Sequence, residues 1–255
     1  MDQQTLIMIV ILLAAAFIPS LAYLIWVRNT ERMNRISWGV VSVVFIWGAV
    51  FAIIIAVILS LLFINVLSAD SIQREYEFLQ NLKDPSIMTL VIVCVVAPVV
   101  EEFTKVLGIF TVKGSIIEME DGLVLGAASG LGFAATENLL YESSAYFQQG
   151  LQAFIMVVIV RSIASTLLHG SASAVAGYGI SKSMIGRTHV AIPYYLLAVV
   201  MHGAFNYLAS ISIFYGGNIP LLALLVALIF SLTAFKLVRS KIEDLDNENH
   251  FGYYK

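Results

Sequence analysis

Seven apolar runs dominate this chain, at roughly 5–27, 36–67, 86–112, 121–141, 151–180, 190–214 and 219–238. Each is near or above the ~20 residues needed to cross a ~30 Å hydrocarbon core. Inside a bilayer, backbone N–H and C=O groups must be satisfied within the segment, so runs of this length fold as helices. Across 255 positions the chain is 60% hydrophobic and 12% charged, with a mean hydropathy of +0.90. The sequence therefore predicts an all-α polytopic membrane protein, a bundle of about seven transmembrane helices. The first run lacks a basic lead and is too long for a cleaved signal, so it reads as a retained span. Without tandem repeats or a soluble domain, the chain divides into three parts. Residues 1–84 hold two spans and an interfacial segment, 85–214 a four-span core, and 215–255 the last span with a polar cytoplasmic tail.

Basic residues fix the orientation. Arg28, Arg32 and Arg35 follow the first run, Lys113 the third, Lys182 and Arg187 the fifth, and Lys236, Arg239 and Lys241 the seventh. The other side receives only Arg74 and Lys83, with acids nearby. The positive-inside rule places the N-terminus outside and the C-terminus inside, with the plasma membrane as the expected location. The second run is long enough to tilt or to bend near Gly48. Residues 70–84 are polar, and Glu75 to Leu79 read as a short interfacial helix; the acidic, amide-rich stretch after Ser240 reads as a mobile tail. The single cysteine, Cys94, allows no internal disulfide. No basic patch with interleaved aromatics points to nucleic acid.

The spans also carry polar residues that lipid does not explain. Glu101, Glu102 and Lys105 fall within five positions of the third run, behind Pro98. An ionisable side chain at the centre of a membrane helix costs ~2.5–3.5 kcal/mol on insertion scales, so it marks function by default. Lys105 reaches Glu101 at i,i+4 and Glu102 at i,i+3, and can neutralise either; a structural ion triad is the plain alternative. Pro98 leaves the Cys94 carbonyl without its helix donor and predicts a kink just before the pair. The fourth run has a small-residue stripe including Gly126 and Gly130, which lets a neighbouring helix approach closely. Glu137 and Asn138 follow it. The fifth run carries Arg161 and His169, and the sixth His202 and Asn206 on one helix face. His189 and His250 lie in a loop and the tail and read as solvated.

Two histidines and a carboxylate match hydrolytic metal sites, typically Zn2+, that keep a position open for water. Glu137, His169 and His202 supply such a set. A separate glutamate then serves as general base and Asn206 as an amide donor to a developing oxyanion. Without metal, Glu101 activates water directly while His169 and His202 orient it. Both versions hydrolyse an amide bond. The candidate catalytic residues are thus Glu101, Glu102, His169, His202 and Asn206, supported by Lys105, Glu137 and Asn138.

Pro-x-x-Glu-Glu-x-x-Lys at Pro98–Lys105 resembles the first motif of the PrsW family of intramembrane proteases. Asp121-Gly122 through Gly130-Leu131-Gly132-Phe133-Ala134-Ala135-x-Glu137-Asn138 resembles the second, and His169 and His202 match the later histidine helices. The likeness covers about 85–205, and Asn206 follows the His-x-x-x-Asn pattern of the wider superfamily, which includes CAAX prenyl endopeptidases and bacteriocin-processing proteins. That group usually has His where this sequence has Glu137, which leaves the metal open. The resemblance implies proteolysis of a membrane-anchored protein, typically a single-pass regulator such as an anti-sigma factor. Two other readings compete. Buried Glu and His chains also serve proton- or ion-coupled transporters, although the internal repeat many of these show is missing. The same fold could also hold a non-catalytic interaction protein, against which the intact Glu101, His169 and His202 argue.

Overall fold

A computed structural model describes residues 3–186 and 188–252, without the side chains of residues 74, 75, 77–79 and 249–252. Arg187 and the His250 side chain lie outside the described residues. Among the described residues, seven helices are long and apolar enough to cross a membrane. They are α1 (Gln3–Arg28), α2 (Trp38–Leu67), α3 (Pro85–Phe110), α4 (Met119–Gln149), α5 (Leu151–Ile185), α6 (Ala191–Ser210) and α7 (Ile219–Gly252). Between α2 and α3 the backbone makes two short helical turns, Asp70–Glu75 and Glu77–Lys83, broken at extended Tyr76.

α4 is the hub, and its small residues explain why. A Cβ at Gly126 would lie 2.1 Å from Ser173 O, and one at Gly130 2.2 Å from His169 O, so α4 and α5 touch backbone to backbone. On the opposite face of α4, a Cβ at Gly132 would lie 2.0 Å from Phe45 O, while one at Gly48 would lie 2.0 Å from Ser129 O. No other residue type permits these approaches. α2 does not simply bend at Gly48. It loosens into a π turn over Trp47–Ala52, pinned by Trp47 Nε1 donating to Thr104 O (3.0 Å) and Thr136 Oγ1 donating to Ala49 O (2.7 Å).

α3 behaves similarly. The disruption expected at Pro98 is a π turn over Ile92–Val96, where Asn206 Nδ2 donates to Val93 O at 2.8 Å. The Cys94 carbonyl packs against Gly203, whose Cβ would lie 2.5 Å away. α6 thus fastens onto the backbone irregularity that proline creates in α3.

The basic flanks gather at one end of the bundle, where a clasp closes. Asp246 accepts from the Arg32 and Met33 amides at 3.1 and 2.9 Å, and Asn34 Nδ2 donates to Glu118 Oε1 at 2.9 Å. The clasp corrects the expectation of a mobile tail, because α7 runs on as helix through Gly252. Phe235, Val238, Ile242 and Leu245 are buried at spacings of three and four, a core stripe hidden beneath a high count of charged and amide side chains.

Glu31 sits inside this clasp, fully buried, its Oε2 accepting from the Ile36 amide at 3.0 Å. Burial pushes its carboxyl from 4.5 up to about 8; the Ile36 amide opposes this, and Asp121 and Glu120 add repulsion. A carboxyl raised in the folded state stabilises fully below its unfolded value, and the contribution is lost as pH climbs through the folded value. The melting temperature in detergent is therefore expected to fall between about pH 4.5 and about 8. Glu31→Gln, which stays neutral, is expected to flatten that fall; an unchanged slope would show that Glu31 does not drive it.

Candidate active site

The intramembrane acids and bases of α3 to α6 meet in one network. Lys105 is completely enclosed, with Nζ 2.8 Å from Glu102 Oε1, 2.8 Å from His169 Nδ1 and 3.6 Å from Glu101 Oε2. It also stands 4.2 Å above the Phe133 ring, a favourable place for a buried cation. Glu102 accepts from His202 Nδ1 at 2.9 Å and from Ser173 Oγ at 2.7 Å. On the other side, His169 Nε2 meets Glu137 Oε2 at 2.9 Å, and Arg161 Nη2 reaches the same oxygen at 2.6 Å. Arg161 Nε donates to Asn138 Oδ1, and Asn138 Nδ2 to Thr166 Oγ1. The two imidazoles stand edge to face, 4.7 Å apart.

These partners assign the ring protons. With Lys105 and Glu102 as an ion pair, the ammonium can only donate, so His169 accepts at Nδ1 and carries its hydrogen on Nε2, toward Glu137. Glu102 can only accept, so His202 donates from Nδ1 and turns its Nε2 lone pair toward Glu101 Oε2, 3.8 Å away. One histidine is set as a donor and the other as an acceptor.

The sequence-derived residues are therefore brought together, with two differences of placement. Asn206 lies one turn beyond His202, but its amide nitrogen donates to Val93 O. Glu137 is held by Arg161 and His169, whereas the acid whose donor atom converges with both histidines is Glu101: the three ligand atoms lie within 4.8 Å of one another. Arg161 and Thr166 had no role assigned from sequence. An intramembrane arginine without an acid on its own helix was the signal for Arg161; Thr166 gave none.

A family profile described as PrsW family intramembrane metalloprotease matches residues 36–234. The chain belongs to that family. Protease PrsW of Clostridioides difficile (strain 630) is 27% identical over 230 residues, covering 87% of this chain and 88% of that one. No solved structure matches. Membership in the PrsW family makes the chain a multi-pass intramembrane protease, a hydrolase, and the transporter and interaction-protein readings are not favoured.

The residues present fit the metal that the PrsW family description implies. Glu101 Oε2 is buried without a hydrogen-bond partner among the described residues, and the donor set is one carboxylate and two imidazoles. Histidines on metals usually donate their other N–H to a carboxylate or carbonyl, as His202 does to Glu102. His169 has an ammonium there instead, so ligation through its Nε2 requires that nitrogen to give up its hydrogen.

The same network makes Lys105 a structural keystone. Breaking a buried pair by deleting one partner costs ~3–5 kcal/mol. Lys105→Met is expected to lower the melting temperature sharply, and adding Glu102→Gln to recover part of the loss. Additive losses in this double-mutant cycle would show that the pair is not coupled.

Proposed function

We propose that the chain cleaves a peptide bond of a membrane-anchored protein, a single-pass regulator such as an anti-sigma factor, in the plasma membrane, with residues 85–214 as the catalytic core. One observation carries most of this reading. Glu101 Oε2, which has no hydrogen bond among the described residues, lies 3.8 Å from the His202 Nε2, and Glu101 lines a cavity walled by α2 and α4.

Glu101, His169 and His202 would hold the metal, Zn2+ by donor type; bound there, it supplies a Lewis acid that acidifies water and polarises the scissile carbonyl. Where no metal is bound, Glu101 itself accepts a proton from the attacking water, whose oxygen bonds to the carbonyl carbon. As the carbon–nitrogen bond breaks, Glu101 returns the proton to the leaving amine. Glu102 fixes the His202 ring through Nδ1, and Glu137, itself held by Arg161, accepts from the His169 Nε2 when no metal takes that nitrogen. Asn206 contributes by tying α6 to α3 through Val93.

Purified wild-type protein is expected to carry zinc that His202→Ala lacks, and a chelator to stop cleavage of reconstituted single-pass substrates. Cleavage that survives complete metal removal would favour direct activation of water by Glu101. Single-pass substrates left intact by the metal-loaded wild type would refute the proposal.

A further inference from the structure

Most of the network is sealed. The side chains of Glu102, Lys105, His169 and His202 are 0–3% exposed, whereas Glu101 and Glu137 are 14% and 19% exposed. Both lie on a cavity of about 230 Å³ completed by Ile53, Ala56, Val57, Ser60, Leu61, Phe133 and Leu140. From Ile53 to Leu61 this lining rises along α2, and from Phe133 to Leu140 along α4, both away from the basic end. At ~1.5 Å per residue the α2 wall is about 12 Å tall.

α2 is built differently on the two sides of its π turn. Toward the basic end it is locked to α4 by the Gly48 and Gly132 crossings and the Thr136–Ala49 hydrogen bond. Beyond the turn only Ile53 and Ala56 are buried, in a cluster with Val96 and Val100 of α3 and Phe133 of α4. Val57, Leu61, Leu62 and Phe63 are half exposed. Past Phe133 the side facing α4 opens into the cavity between Val57, Ser60, Leu61 and Leu140, beside the two partly exposed acids. A π turn interrupts the regular helix ladder, and such turns recur at functional sites.

Resting on the proteolytic reading above, we infer that a membrane-spanning segment of the substrate reaches Glu101 sideways from the lipid, through the slot between the outer half of α2 and α4. The cavity is smaller than the ~300–1,000 Å³ of ordinary ligand sites, so it accepts a chain only when α2 swings outward about its π turn. Apart from the two acids its wall is apolar with one hydroxyl, Ser60. Small or apolar side chains around the scissile bond suit that lining. Cleavage then falls in the half of the bilayer facing away from the basic end.

The test uses the full chain in liposomes, carrying Glu101→Gln to halt hydrolysis and Cys94→Ala to remove its own thiol. The probe is a single-span leucine–alanine peptide with a central glycine pair and a diazirine beside it. Photolabelling is expected on Val57, Ser60, Leu61 or Leu140, and to be lost when Ser60→Cys and Leu140→Cys are joined by a short bismaleimide. Joining Ile159→Cys to Leu225→Cys, on a groove between α5 and α7, is expected to leave it intact. No label at the slot, or label indifferent to the Ser60–Leu140 bridge, overturns the inference. Because capture precedes hydrolysis, capture at the slot by a chain whose Glu101 form never cleaves would refute the protease assignment while leaving the slot standing.

Discussion

Glu101→Gln is expected to abolish cleavage of membrane-anchored substrates while leaving the protein folded and inserted. The substitution preserves shape, but an amide cannot take a proton from water. General acid–base catalysis contributes ~10²–10⁴-fold, which sets the expected loss. The fold should survive because Glu101 Oε2 has no hydrogen bond among the described residues to lose, and Lys105 retains its 2.8 Å pairing with Glu102. Glu102→Gln provides the contrast. Glu102 is bonded to Lys105, His202 and Ser173 at once, so its neutralisation is expected to reduce both activity and melting temperature. Rates and thermal unfolding measured on the same preparations separate the two carboxylates. Wild-type cleavage by Glu101→Gln would remove Glu101 from the chemistry; unfolding of that variant would make it structural instead.

The second large effect is expected from a single methyl group outside the network. In Gly130→Ala the new Cβ would lie 2.2 Å from His169 O and 2.8 Å from both His169 C and Ser173 Oγ. Two of these atoms belong to backbone and cannot swing aside, so α4 and α5 must separate by about 1 Å. Overpacking of this kind costs ~1–3 kcal/mol. Displacements near 1 Å can cost about 10²-fold in rate. His169 would shift relative to Lys105 and Glu137, and Ser173 relative to Glu102, so cleavage is expected to fall by about that factor. Gly114→Ala, whose Cβ meets nothing within 4 Å, serves as the control and is expected to behave as wild type. Equal activity in the two variants would mean that the α4–α5 separation does not govern the site.

The spans, the Pro98 disruption and the gathering of Glu101, Glu102, Glu137, His169 and His202 were legible because each leaves a local trace: an apolar run, a missing donor, a charge in lipid. Pairings between helices leave none. The sequence offered Lys105 to two acids on its own helix but not to His169, which is 64 positions away. Asn206 read as an oxyanion donor because a side chain's target is invisible from spacing, and here the target is a carbonyl within the turn before Pro98. The end of α7 was obscured for a different reason. Its mean polarity is high, and only the spacing of Phe235, Val238, Ile242 and Leu245 reveals a face that docks.

α4 and α5 are joined through Gly150 alone, in a backbone conformation (φ 87°) that favours glycine. α4 is also the most enclosed of the seven spans and carries acids at both ends of its length. Such a segment has little to gain from meeting lipid by itself. During synthesis it is expected to enter the bilayer together with its successor, as one preassembled hairpin. The timing of translocation, and not only the finished packing, would then depend on the residues that let the two backbones touch.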